Sequence, residues 1–184
     1  MTYNRKTMRL MFALFVFCSS CAPAVQSHAK AASHTTHTTR VLSLPKPNPN
    51  KHLIILYPGH GGYDLGANSK TCIEKELALK TSLSAKRYLS QMGYRVILTR
   101  TKDVFVPLRQ RASTANKTNG QLFVSLHFNA AKNPKASGIE VFYYNSRSTW
   151  RRNSSRRLAT QVLGRLLSAT GAPSRGVKVG NFHV

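Results

Sequence analysis

From His52 onward the apolar residues come in short unbroken runs, separated by stretches in which they recur every three or four positions. HLIILY reads as a fully buried strand, and YRVILTR, QLFVSLH and GIEVFYY as three more. Between the first two, EKELALKTSLSAKRYLSQMG places Leu77, Leu79, Leu83, Tyr88, Leu89 and Met92 roughly at helical spacing and closes at Gly93. PLRQRASTANKTNG fits a second helix, opened by Pro107 and stopped near Gly120. SSRRLATQVLGRLLSATG fits a third, with Ser154 or Ser155 as cap and Gly171 as stop. Strands alternating with helices predict an α/β domain whose mostly parallel, twisted sheet is covered by helices on both faces. Ligands of such sheets gather at the carboxyl ends of the strands.

The pattern before His52 is different. Basic Arg5, Lys6 and Arg9 precede an apolar stretch from Leu10 to Cys18, followed by small residues at Ala22-Pro23-Ala24. That is the layout of a secretory leader, too short in its apolar part to span a bilayer as a stable helix. Residues 1–24 are therefore expected to be a signal peptide that directs the chain to the periplasm or envelope, with lipidation at Cys21 as the lesser alternative. Residues 25–51 hold Ser, Thr, His, Lys and Pro with little to bury and read as a flexible linker, in which His34 and His37 belong to a solvated spacer. Residues 52–184 are left as the domain. Removal of the leader takes Cys18 and Cys21 with it, so the exported chain keeps only Cys72 and no internal disulfide is expected.

Composition adds one strong constraint. The chain carries 28 Lys+Arg against 5 Asp+Glu, a formal charge of +23. Without the three leader cations it is about +20, a surface that will seek polyanions. The export signal, the absence of any nucleic-acid recognition motif and the scatter of basic residues over the whole chain argue against nucleic acid. Anionic envelope polymers remain as partners.

Candidate chemistry sits at the strand ends. The first strand delivers His60 and the third delivers His127, while Glu74 opens the first long helix and can turn its carboxylate toward the same edge. Two imidazoles and a carboxylate from three elements make an open zinc site, in which a fourth position remains for water. Glycines 59, 61 and 62 would let the backbone bend beside it. Each residue also has a structural explanation: a hydrogen-bonded core histidine for His60, a first-turn acid for Glu74, a strand cap for His127.

PGHGGYDLGA, EKELAL, GYRVILTRTKDVFVPLRQRASTAN, LFVSLHFNA, GIEVFYY, RLATQVL and RGVKVGNFHV, in that order, resemble the zinc-dependent N-acetylmuramoyl-L-alanine amidases of the AmiA/AmiB/AmiC type, the amidase_3 family. The similarity spans about residues 52–184, and an ordered series of motifs is far more specific than any one of them. The resemblance implies a periplasmic peptidoglycan hydrolase, often used in cell division, that cuts the amide between N-acetylmuramic acid and the L-alanine of the stem peptide. It implies His60, Glu74 and His127 as zinc ligands and a carboxylate general base that accepts a proton from water and returns it to the leaving nitrogen.

Several departures accompany it. The family's catalytic glutamate lies in a segment reading like vLvEtgFlsN, after the strand that NFHV is expected to begin, and the sequence ends at Val184. The fold is thus expected to lack its C-terminal strand and helix, and the base is unassigned. Glu140 is expected to be structural or to stand behind the ligands, and Glu76 to face solvent. Tyr57 stands where the family has Asp, removing an acceptor that would orient a ligand histidine. Cys72 is expected to be a buried small hydrophobe, not a ligand. The interval from Tyr144 to Ser155 leaves no room for an inserted autoinhibitory helix, and a monomer is expected, with a protein activator as a further partner. The alternatives to an amidase are a wall-binding module that holds zinc without cutting, and an exported polyanion-binding protein.

Overall fold

The computed structural model describes residues 10–17, 52–69, 72–129 and 137–182. Strand β1 (Leu10–Phe17) is followed by β2 (Leu53–Pro58), helix α1 (Glu74–Gln91), β3 (Arg95–Leu98), α2 (Leu108–Lys117), β4 (Leu122–Asn129), β5 (Gly138–Tyr143), α3 (Thr149–Thr170) and β6 (Ser174–Val179). The strands form one sheet in the order β3-β2-β4-β1-β5-β6. Every neighbouring pair is parallel except β1 with β5. The mostly parallel α/β architecture read from the sequence is the one observed.

Two cores explain why β2 has no polar position. Ile54 and Leu56 join Leu98, Val124, Leu126, Ile139, Val141, Ala159 and Leu163 under α1 and α3. Leu53, Ile55 and Tyr57 pack with Phe123 and Ala115 of α2 on the opposite face. A strand covered on both sides must be apolar at every residue, because neither face meets water.

The helices depart from expectation in detail. On α1 the face turned to the sheet is Glu74, Ala78 and Ser82, flanked by Ala85 and Leu89, whereas Leu83, Tyr88 and Met92 are exposed. Small side chains let the helix lie close to the sheet, and the buried Ser82 hydroxyl satisfies itself on the Ala78 carbonyl at 2.7 Å. Helix α3 begins at Thr149, earlier than expected. Ser148 is the cap, its hydroxyl accepting from the Arg151 N–H at 3.4 Å, and Ser155 instead lies buried against the sheet, one and two turns before Ala159 and Leu163. Gly171 ends it at φ 66°, as expected. Helix α2 follows Pro107 and ends before Gly120.

Two strands were not foreseen as strands. Ser174–Val179 pairs parallel to β5 at the sheet edge, where half-exposure permits the charged residues that hid it. Asn181 and Phe182, expected to begin a strand, lie beyond it in non-regular backbone. The apolar stretch read as the heart of a leader forms β1 in the middle of the sheet, while residues 1–9, the remainder of the expected leader, the linker 25–51 and His183-Val184 lie outside the described residues. The interval from Tyr144 to Ser148 is a short turn into α3, so among the described residues no extra helix is inserted there.

Candidate metal centre

His60, Glu74 and His127 converge at the edge of the sheet where β2 and β4 end, each offering one donor atom, with all three donors within 4.8 Å of one another. The Glu74 Oε1 lies 3.2 Å from His60 Nε2 and 2.9 Å from His127 Nδ1. A tetrahedral zinc with bonds near 2 Å has ligand-to-ligand edges of roughly 3.3 Å, so small adjustments would admit the ion. Two nitrogens and an oxygen also suit zinc by donor chemistry.

Glu74 is the fixed point of the cluster. It is 3% exposed, and its carboxylate accepts from the Ala67 N–H at 2.7 Å and the Phe128 N–H at 2.9 Å. Burial pushes its carboxyl up, but the contacts from His127 and His60 and the Ala67 N–H outweigh that and hold it well below the usual carboxylate range. The carboxylate therefore stays ionised as a ligand must. The contact with Glu74 raises the His60 imidazole against the opposing effect of burial, with Asp64 adding to the rise.

The glycines permit this convergence by leaving space. A Cβ on Gly59 would lie 2.5 Å from His127 Cε1, and one on Gly66, at φ +66°, 2.5 Å from His60 Cδ2 and 2.7 Å from Glu74 Oε2. Gly59→Ala should accordingly displace the His127 ring and weaken metal binding on the order of 10–100-fold, the range for disturbing a ligand's support, with the far-UV CD spectrum unchanged. Parent-like metal affinity in that variant would show that the ring can move aside.

His60 itself is held in an unusual backbone state, φ 58°, which costs a non-glycine residue about 1–2 kcal/mol. Its surroundings enforce it. Gly61 and Asp64 form a closed bridge through N–H to carbonyl bonds of 2.9 and 3.2 Å, and Asp64 Oδ1 lies 2.9 Å from His60 Nδ1. Asp64 Oδ1 accepts a hydrogen bond from His60 Nδ1–H and leaves Nε2 directed at Glu74, so it performs the orienting task for which Tyr57 is unsuited. Tyr57 instead packs edge-on to the His127 ring at 5.7 Å.

Two arginines that sequence reasoning did not single out clamp the same loop. Arg111 of α2, 1% exposed, donates to the carbonyls of Val106 at 2.5 Å, Pro58 at 3.2 Å and His60 at 3.0 Å, and its guanidinium lies 4.2 Å over the Tyr57 ring. Arg100 donates to Pro58, Gly59, Lys75 and Lys102 carbonyls. Burial lowers both guanidinium pKa values, and the forked donors offset that by collecting carbonyl oxygens. Lys75 and Asp103, 2.6 Å apart, fasten Gly62 through its carbonyl and its N–H.

The other expected residues fall outside the cluster. Glu140 is buried on β5 and engaged by Lys178 Nζ at 2.5 Å and Arg175 Nε at 3.6 Å. Glu76 is exposed. Cys72 is half-buried and disulfide-bonded, which removes it as a thiolate ligand and corrects the expectation of a buried small hydrophobe.

Residues 54–184 match the family model described as N-acetylmuramoyl-L-alanine amidase. Among similar proteins are AmiA of Salmonella typhimurium, 39% identical over 66% of this chain and 43% of its own length, and LytC of Bacillus subtilis, 34% identical over 71% of this chain and 26% of its own length. The chain thus spans less than half the length of these relatives. An N-acetylmuramoyl-L-alanine amidase from Clostridium difficile 630 superposes with a TM-score of 0.66 at 36% identity, covering 73% of this chain and 72% of that one. The catalytic domain of CwlV from Bacillus (Paenibacillus) polymyxa gives 0.63 at 32% identity, with 72% of each chain covered.

Proposed function

Because this chain belongs to the amidase_3 family of N-acetylmuramoyl-L-alanine amidases, we propose that it is an exported peptidoglycan hydrolase acting on the amide between N-acetylmuramic acid and L-alanine, with zinc held by His60, Glu74 and His127. The observation that carries this reading is the convergence of those three donors on one point at the strand ends. A zinc ion held by these residues would supply Lewis acidity, able to polarise a scissile carbonyl and to bring the pKa of a water down toward about 7. Glu74 keeps its negative charge through the donors around it and against the effect of burial, Asp64 fixes the His60 tautomer, and the Gly59–Gly62 loop brings substrate close to the ligands.

Of the described carboxylates other than Glu74, Glu76 is exposed and lies outside the cluster, and the remaining three are held in pairs. Asp64 is engaged by His60, Asp103 by Lys75 and Glu140 by Lys178. Turnover by this chain is therefore expected to lack the general acid–base contribution, a deficit of about 10²- to 10⁴-fold. The test is incubation with purified peptidoglycan and zinc. Slow release of peptides that begin with a free L-alanine amine, lost in Glu74→Ala, is expected. Release of reducing sugar ends, or no free alanine amine at saturating zinc, would overturn the proposal.

Residues 1–24 act in this reading as the export leader, residues 25–51 as the linker and 52–184 as the amidase domain, placed in the periplasm or envelope. Helix α3 carries no acidic residue and exposes Arg156, Arg157 and Arg165, which supports contact with anionic envelope polymers. Binding to wall material should weaken as salt rises.

A further inference from the structure

The position of β1 is the feature that the amidase reading leaves unexplained. Its register runs from Leu10↔Leu122 to Phe17↔Asn129 against β4 and from Phe12↔Tyr143 to Phe17↔Gly138 against β5. The sheet order makes β1 the seam between two halves: β3, β2 and β4 lie under α1, and β5 and β6 under α3. Without β1, β4 and β5 would each present a row of unpaired N–H and C=O groups across a strand-wide slot. That slot adjoins the metal centre. Phe15 stands opposite His127 on one side and Glu140 on the other, so a residue with no proton-accepting group holds the row beside a ligand histidine.

A second observation ties the same segment to the site. Cys72 is disulfide-bonded, and the chain's other cysteines are Cys18, the residue after β1, and Cys21. Cys72 precedes Glu74 by two residues, and Glu74 accepts from Phe128, next to the Asn129 that pairs with Phe17. The end of β1 and the loop before α1 thus meet at one edge of the sheet.

We propose that the gap between β4 and β5 is a strand-acceptor slot filled in cis by the apolar N-terminal segment Leu10–Phe17, fastened through Cys72, and that the chain retaining this segment is a latent form with the row beside His127 blocked. The composition that suits a leader, eight consecutive apolar residues, is also what a strand flanked on both sides requires. The same residues therefore serve the sheet until they are removed. Latency rests on the export and zinc readings; the strand pairing does not.

The test uses the full chain with a protease site inserted in residues 25–51. After cutting, the N-terminal fragment should co-elute with the remainder, and without reduction it should be found disulfide-linked to the peptide containing Cys72. It should stay bound after reduction and in Cys72→Ser, whose zinc content should equal the parent's. In the uncut chain, Leu14→Asp should speed amide exchange at least tenfold in both 122–129 and 138–143, and zinc extraction by a chelator should quicken several-fold. Separation of the cut, reduced fragment with exchange in β4 and β5 unchanged would overturn the slot, and this holds even if Leu14→Asp fails to fold. Equal chelator rates with and without the bound fragment would overturn the latency. A protein that takes up no zinc would instead sink the metal reading while the exchange result stood.

Discussion

Glu74→Ala should abolish stoichiometric zinc binding while leaving the sheet folded. The carboxylate bridges the two imidazoles, with Oε1 at 3.2 Å from His60 Nε2 and 2.9 Å from His127 Nδ1. It is also the only anion among the three, so its loss removes both the chelate geometry and the charge that favours a divalent ion. Disturbing a group behind a ligand costs about 10–100-fold in metal affinity; removing a ligand from a three-ligand site should cost more, on the order of 10³-fold. Glu74→Gln separates the two contributions, since the amide keeps the shape without the charge. Metal content after dialysis, read by mass spectrometry, decides the matter. Tight, one-to-one zinc in Glu74→Ala would mean that the two histidines bind with some other group, and the proposed centre would be wrong.

The convergence of His60, Glu74 and His127 was legible because these residues sit where elements begin and end. A buried run such as LIILYP must finish before a polar residue, which puts His60 at the strand's mouth, and Glu74 at the head of a helix can face the same edge, although each residue taken alone also suited a structural role. What supports the cluster was not legible in the same way. Arg100 and Arg111 are two among 28 Lys+Arg, and nothing local distinguishes a buried guanidinium from a solvated one. Their burial is decided by carbonyls of the 58–60 loop that are more than forty residues away in sequence. Asp64 lay within the quoted motif, yet its bond to His60 follows from the φ 58° bend of that histidine, which no periodicity encodes.

The helix faces and β1 show two further limits. In α1 the residues against the sheet are Ala78 and Ser82, because space and not apolarity selected them, and the larger Leu83, Tyr88 and Met92 were left outside. Large apolar residues at helical spacing therefore mark the sheet-facing side only at Leu89, and miss Ala78 and Ser82. For LMFALFVF the difficulty is degeneracy. An uninterrupted apolar octet meets the requirements of a leader and of a strand with neighbours on both sides, and only the pairing with β4 and β5 reveals the second use.

Arg111→Met should lower the stability of the domain by about 2–6 kcal/mol and loosen His60 beyond what that loss alone predicts. The methionine fills much of the space but cannot donate. Pro58 would still be served by Arg100 at 3.2 Å. The carbonyls of Val106 and His60 would lose the donors now at 2.5 and 3.0 Å, and each buried acceptor left unsatisfied costs about 1–3 kcal/mol. For a domain of this size 1 kcal/mol is worth roughly 2–8 °C, so Tm should fall on the order of 10 °C. The guanidinium is also what holds the His60 carbonyl in its left-handed turn; without it the backbone can relieve about 1–2 kcal/mol of strain by turning the imidazole away from Glu74. Zinc affinity measured well below the new Tm should therefore drop as well, whereas a purely structural arginine would leave it unchanged. Arg111→Lys should be intermediate, since an ammonium reaches one or two carbonyls but cannot span all three or lie flat on Tyr57. A methionine variant within 1 kcal/mol of the parent, with parent-like zinc affinity, would show that the loop holds His60 through Asp64 and the glycine bridge alone.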